Sequence, residues 1–191
     1  MNDDVLRTYA AAQDFHQYRG RMRVHARAFT DVYERLQFVR DTEADEAPLG
    51  RSRILVLTED FCIDSVLGLP LIARLAEASP GAELRVASHD AHSRLADKFP
   101  GRGGISRLPT AIVFNCAGDI MGYWSERSKR DHQWMAAFVA QDPIPEIVLE
   151  DGRPVFPLAD WMDRRLKAQL PFLLSTSWRC ARDELAALAN P

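Results

Sequence analysis

The sequence predicts an α/β fold, a mixed sheet wrapped by helices from both ends of the chain. Three observations lead there. The apolar, β-rich run Ile54 to Leu57 stops at the polar turn Thr58-Glu59-Asp60-Phe61, and Cys62 stands where a helix begins. Strand, helix, strand, short helix and hairpin then follow one another up to Trp124, an order that implies a parallel pair with an antiparallel edge. On either side of this stretch, before Arg40 and after Ser125, apolar residues recur at helical spacing.

From Asp4 to about Arg40 the pattern is helical. Leu6, Tyr9, Ala10 and Gln13 lead to a break near Gly20, after which Val24, Ala28, Val32, Leu36 and Val39 form an amphipathic stripe. The acidic stretch Asp41 to Gly50 reads as a connector. Arg53 to Leu57 reads as a buried strand. Asp64 to Ala78 reads as a helix with Leu67, Leu71 and Leu75 on one face, closed by Ser79-Pro80-Gly81. Glu83 to Ser88 is the second strand, and His92 to Phe99 a short helix ended by Pro100-Gly101. After the glycine turn 102–104, Ala111 to Phe114 and Ile120 to Trp124 form a hairpin about Asn115-Cys116-Ala117-Gly118-Asp119. Asp131 to Ala140 is helical, and Ile144 to Leu149, flanked by Pro143, Pro145 and Asp151-Gly152, is ambiguous. Leu158 to Leu170 and Thr176 to Leu188 are helices parted or kinked at Pro171. The chain thus divides into an N-terminal helical extension and linker (1–50), a core (51–128), and a C-terminal helical extension packed on the same domain (129–191).

Composition narrows the function classes. With 24 Lys and Arg against 27 Asp and Glu, the net charge of −3 supplies no broad attraction to nucleic acid or to an anionic membrane, and neither is expected as a partner. No stretch approaches the roughly 20 apolar residues that span a bilayer. The acidic start Met1-Asn2-Asp3-Asp4 leads into no apolar stretch, so no secretory signal is expected. Three widely spaced cysteines do not make a disulfide framework, and the cytoplasm is the expected compartment. The chain has neither Cys-x-x-Cys nor His-x-x-x-His, and Arg102-Gly103-Gly104 lacks the strand and helix that flank a nucleotide loop. No metal and no cofactor are expected.

Two segments carry a resemblance. Glu59-Asp60-Phe61-Cys62-Ile63-Asp64-Ser65 has an aromatic-cysteine turn at a strand-to-helix junction, and Ile105 to Phe114 places Leu108-Pro109 just before a strand, 47 positions after Cys62. Together they resemble the thioredoxin superfamily, in a bacterial thioredoxin-like branch with a Glu-Asp-aromatic-Cys-x-Asp motif. The likeness spans Arg53 to Trp124. It implies a thioredoxin-like core, with the helical flanks as that branch's extensions. It further implies a cis Leu108–Pro109 bond packed beside Cys62, with Phe61, Leu108 and Pro109 meeting the bound polypeptide or thiol.

The residues themselves admit two chemistries. Cys62 reads as a nucleophilic thiolate favoured by a helix N-terminus, or as a small buried apolar residue. Glu59, Asp60 and Asp64 oppose thiolate if they lie near the sulfur. Ser65 stands where a dithiol enzyme carries its second cysteine, and its hydroxyl cannot displace a mixed disulfide. Ser65 reads either as a hydrogen-bond donor to the Cys62 thiolate or, with Asp64, as a helix cap. Asp64 reads as a proton shuttle or as a first-turn acid. Cys116 lies about six residues beyond the proline loop, roughly 20 Å along a strand, and so at the far end of the sheet. Cys180 resolves Cys62 only if its helix folds back toward the turn. His89-Asp90 ends a strand on the Cys62 edge, as thiolate support or as a surface cap. Trp124, Trp134, Trp161 and Trp178 read as packing residues that fasten the flanks. The favoured expectation is a monothiol thiol–disulfide oxidoreductase with a Cys-x-x-Ser motif, catalytic at Cys62, Ser65 and Asp64 and resolved by an external thiol. Its partners would be protein thiols or disulfides, or a low-molecular-weight thiol, with a homo-oligomer also open. The alternative is a redox-inactive thioredoxin-like interaction or scaffold module, and a third reading is a sensor held as a mixed disulfide.

Overall fold

The first part of the chain runs α1 (Asn2–Ala11), β1 (Gln13–Asp14), α2 (Phe15–Arg21), α3 (Ala26–Arg35) and α4 (Gln37–Glu43). Then come β2 (Arg53–Thr58), α5 (Ile63–Glu77), β3 (Glu83–Ser88), α6 (Ser93–Ala96), β4 (Thr110–Phe114) and β5 (Ile120–Ser125). After them follow α7 (Lys129–Gln141), the hairpin β6 (Val148–Glu150) and β7 (Arg153–Val155), α8 (Leu158–Phe172) and α9 (Trp178–Ala189). This computed structural model describes residues 2–43, 46–145, 148–150, 153–155 and 158–190.

The sheet order is β1-β3-β2-β4-β5. β2 and β3 run parallel, and the other neighbours are antiparallel. The two central strands, β2 and β4, are buried almost throughout, which is why they read as continuous apolar runs. Their alternating side chains build two cores. Ile54, Val56, Ala111 and Val113 face α3, α4, α5 and α9, while Leu55, Leu57, Ile112 and Phe114 face Val5 and Tyr9 of α1 and Leu95 of α6. The result is an α/β fold with helices on both sheet faces.

The differences from expectation have local causes. β1 is two residues long, too short to show a period, and Asp14 at once caps α2 in a capping box with Gln17. The break falls at Met22 to His25 instead of Gly20, which sits inside α2. Phe29 and Tyr33 join Val32, Leu36 and Val39 in the buried stripe, and Val24 is exposed. α4 carries the helix to Glu43, which is buried, so the connector begins later than its acidity suggests; residues 44–45 lie outside the described ones. α5 is buried on nearly all sides, where a single leucine face is expected. Leu149 lies in β6, and residues 146–147 lie outside the described residues. At Pro171 the chain does not break: α8 runs on to Phe172 and widens into a π-helical turn at Leu173–Ser177, where the Ser175 hydroxyl donates to the Pro171 carbonyl at 2.8 Å.

The helical flanks are joined to one another as well as to the sheet. Trp178 of α9 is 1% exposed and packs edge-on against Phe38 of α4. Trp161 is buried and Trp134 stacks on Phe138 and Phe172. Trp178→Ala is expected to destabilise the protein by about 3–5 kcal/mol, as removal of a fully buried indole does. A urea-unfolding midpoint unchanged from the parent protein would disprove this role.

Candidate active site

Pairing register brings the site together. Leu57 at the end of β2 lies opposite Thr110 at the start of β4, so the turn after β2 and the loop before β4 share one sheet edge. The Leu108–Pro109 bond in that loop is cis. Cys62 is the N-cap of α5 in an extended conformation, and its Sγ lies 3.8 Å from the Leu108 carbonyl oxygen. Gly68, two turns along α5, allows the loop to approach: a Cβ there would stand 3.3 Å from Pro109 Cγ and 3.5 Å from Trp124 Cη2. Pro109 is buried, Leu108 is half-buried, and Phe61 is exposed beside the thiol.

Of the three carboxylates expected to crowd the sulfur, two are engaged elsewhere. Glu59 accepts the Ser88 hydroxyl at 2.6 Å and the Asp90 N–H at 3.0 Å. Asp60 accepts the N–H groups of Arg23 and Val24 at 2.7 and 3.0 Å, tying the N-terminal extension to the turn. Asp64 remains, 8% exposed and held by two arginines. Arg127 forms a two-pronged pair with it at 3.0 and 2.6 Å, and Arg165 of α8 bonds Asp64 Oδ1. Burial opposes the charge on Asp64, but Arg165 and Arg127 overcome it and hold the carboxyl below its ordinary pKa. With its oxygens occupied by guanidinium N–H groups and its basicity lowered, Asp64 is a poor proton acceptor, and this geometry departs from the expected shuttle. It also departs from a plain first-turn acid, because the partners are side chains from distant elements.

Arg127 reaches Asp64 because the chain turns sharply after β5. Glu126 takes a left-handed conformation at φ 68°, donates its N–H to the Pro109 carbonyl at 2.8 Å, and pairs through its side chain with Arg127 at 2.8 Å. Arg165 continues into a buried chain: its Nε donates to Gln169, Gln169 donates to Asp131, and the Ser128 hydroxyl donates to Asp131. None of Arg127, Arg165 or Glu126 stands out in the sequence. The one available signal is physical: an acid on a buried helix face requires a counter-charge.

Ser65 is buried and accepts the Thr58 hydroxyl at 2.6 Å. It does not cap α5, since Cys62 holds that position. Burial, followed by the Asp64 charge, pushes the Cys62 thiol above its ordinary pKa. The Ser65 N–H and hydroxyl and the Asp64 N–H pull the other way without closing a side-chain cap hydrogen bond. Behind the turn, burial and then Asp60 push up the pKa of Tyr18, a half-buried α2 residue that sequence reading does not single out. His89 bonds Ser106 and Asp90 at 3.2 Å each and serves the proline loop.

The other thiols stand apart. Cys116 is exposed at the opposite end of the sheet, where its Sγ donates to the Arg51 carbonyl. Cys180 is half-buried on α9, 3.4 Å from Glu184, and burial pushes its pKa up. All three cysteines are free. Cys62 opens onto a groove of about 620 Å³ that α7 and α8 help to line. A larger groove of about 1150 Å³ between α3 and α8 contains no residue of the motif.

The family profile described as thioredoxin matches residues 12–141. The chain belongs to the thioredoxin family. Two crystal structures share its fold. One is a protein of unknown function from Pseudomonas aeruginosa, 19% identical, with 86% of this chain and 93% of that one covered at a TM-score of 0.54. The other is an HIV epitope scaffold, 17% identical, with 85% and 94% covered at 0.56. No curated protein matches the chain. Among the described residues no helix is long and apolar enough to cross a membrane.

The Asp64 cluster has a signed pH dependence. Its folded pKa lies below the unfolded value near 3.8, so its stabilisation is complete above that value and is lost as pH falls through the folded pKa. Urea-unfolding free energies measured from pH 5 down to pH 2 should fall less steeply in Asp64→Asn than in the parent. Arg165→Met, which leaves a buried carboxylate half-compensated, is expected to cost about 3 kcal/mol. An unchanged melting curve for that variant would remove the cluster from any structural role.

Proposed function

We propose that this thioredoxin-family protein performs monothiol thiol–disulfide exchange through Cys62. The supporting observation is the placement of a half-exposed thiol at the N-terminus of α5, facing the Leu108 carbonyl beside a cis proline. In this reading the Cys62 thiolate attacks one sulfur of a substrate disulfide. A Cys62–substrate disulfide forms, and the other half leaves as a thiolate that takes a proton from water. Ser65 has no thiol with which to displace the substrate, so an external thiol, small or on a second protein, attacks the mixed disulfide and restores Cys62. Ser65 acts through its hydroxyl and N–H, which favour the thiolate. Asp64 acts by charge alone. Residues 51–128 form the reacting core, and the flanks hold its turn in place. A reducing compartment, the cytoplasm, suits free thiols of this kind.

The elevated thiol pKa favours a second reading, the redox-inactive scaffold, in which partner binding survives Cys62→Ser. Reactivity separates the two. With its pKa raised, Cys62 should alkylate about tenfold faster for each pH unit from 7 to 9, without a plateau. Asp64→Asn removes a negative charge beside the sulfur and should shift the profile to lower pH. Thiolate absorbance and peptide-mapped alkylation report both effects. The exchange reading fails if Cys62 reacts no faster than Cys116 and Cys180 with a disulfide probe across this range.

A further inference from the structure

The groove beside Cys62 is built mainly by elements outside the sheet. Phe61 and Ile63 form one wall, and Met135, Val139, Ile144 and Trp161 the other. Two large apolar side chains in it face water: Phe61 is 52% exposed and Ile144 54%. The charges in the lining cancel. Asp64 is paired with Arg127 and Arg165, and Glu126 with Arg127. His132, 3.9 Å from Glu126, is half-buried, and burial followed by Arg127 lowers its pKa against the pull of Glu126, which disfavours a positive charge there. An anionic small thiol entering here would lose hydration and find both guanidiniums already bound to carboxylates. An apolar side chain would cover Phe61 and Ile144 and remove their surface from water.

We infer that the disulfide partner of Cys62 is a polypeptide cysteine flanked by bulky apolar side chains, which seat between Phe61 and the α7–α8 wall. This rests on the exchange reading above. The groove runs from the thiol past α7 to Ile144 and Trp161, and so takes residues beside the reacting cysteine as well as the cysteine itself. The reaction is the balanced exchange already described: the Cys62 thiolate attacks, the Cys62–peptide disulfide forms, and the second peptide half leaves as its thiol.

The test compares rates of mixed-disulfide formation by the full-length reduced protein with four probes. Two are symmetric peptide disulfides of equal length, one with Leu and Phe beside the cysteine and one with Asp and Glu. The others are glutathione disulfide and 2-hydroxyethyl disulfide. The apolar peptide should react at least about tenfold faster than the acidic peptide and glutathione disulfide, a ratio within reach of an apolar pocket. Ile144→Asp and Phe61→Asp, both at exposed positions, should each reduce the apolar-to-acidic ratio by about fivefold or more. A ratio near one, or one that neither substitution changes, overturns the inference. If 2-hydroxyethyl disulfide still reacts at Cys62 in that case, the exchange reading stands alone. If no probe reacts at Cys62, both readings fall.

Discussion

One buried carboxylate organises this protein. Asp64 sits in the first turn of α5, two residues beyond Cys62, and is held by an arginine from the end of β5 and another from α8. Removing a carboxylate from water is costly, and only close, multiple hydrogen bonds offset that cost. The structure supplies them by drawing three distant segments to one point. Arg127 arrives because Glu126 turns left-handed against the Pro109 carbonyl, and Arg165 because α8 lies across α5 with Gln169 and Asp131 behind it. The proline loop, the helix start and the C-terminal extension are thus linked through Asp64. In such an arrangement the flanking helices are part of the site's electrostatics as well as a wrapping around a core.

The thiol beside this carboxylate illustrates a competition that general rules leave open. A helix N-terminus favours thiolate, and burial with a neighbouring negative charge disfavours it. Here burial comes first and Asp64 second, and together they outweigh the N–H groups of the first turn. Glu59 and Asp60, equally close in sequence, contribute mainly to architecture: one joins the ends of β2 and β3, and the other receives the backbone of the N-terminal extension. Counting acids near a cysteine therefore overstates their effect. Each acid acts according to the hydrogen bonds that consume it.

Much of this was legible in the sequence wherever one residue pattern answers to one local cause. The buried runs at β2 and β4 and the turn at Asn115–Asp119 announce themselves through apolar patterning or turn chemistry, the proline before β4 through the family resemblance, and the opposite-end placement of Cys116 follows from strand length alone. The two-residue β1 could not be read, because it carries no period. The α3 stripe starts later than its apolar spacing suggests, since Val24 lies outside the helix and Phe29 inside it. The partners of Asp64 were invisible for a different reason. Arg127 and Arg165 stand 63 and 101 residues away, and ion pairing leaves no periodic trace. The apolar groove shares this cause, being assembled from a turn and two helices that meet only in three dimensions.

The pKa of Cys62 bears on what kind of exchange a lone thiol can perform. A thiol with a raised pKa is seldom ionised at neutral pH, but its thiolate is the stronger nucleophile, so formation of the mixed disulfide is slowed less than the ionised fraction suggests. Release is affected in the other direction. For an external thiol to restore the protein, Cys62 must depart as the leaving group, and a sulfur of high pKa leaves slowly. With Ser65 in place of a second thiol, no internal attack competes. In the proposed exchange, the burial and the Asp64 charge that lift the Cys62 pKa make its sulfur the poorer leaving group, which favours holding a partner over rapidly turning it over.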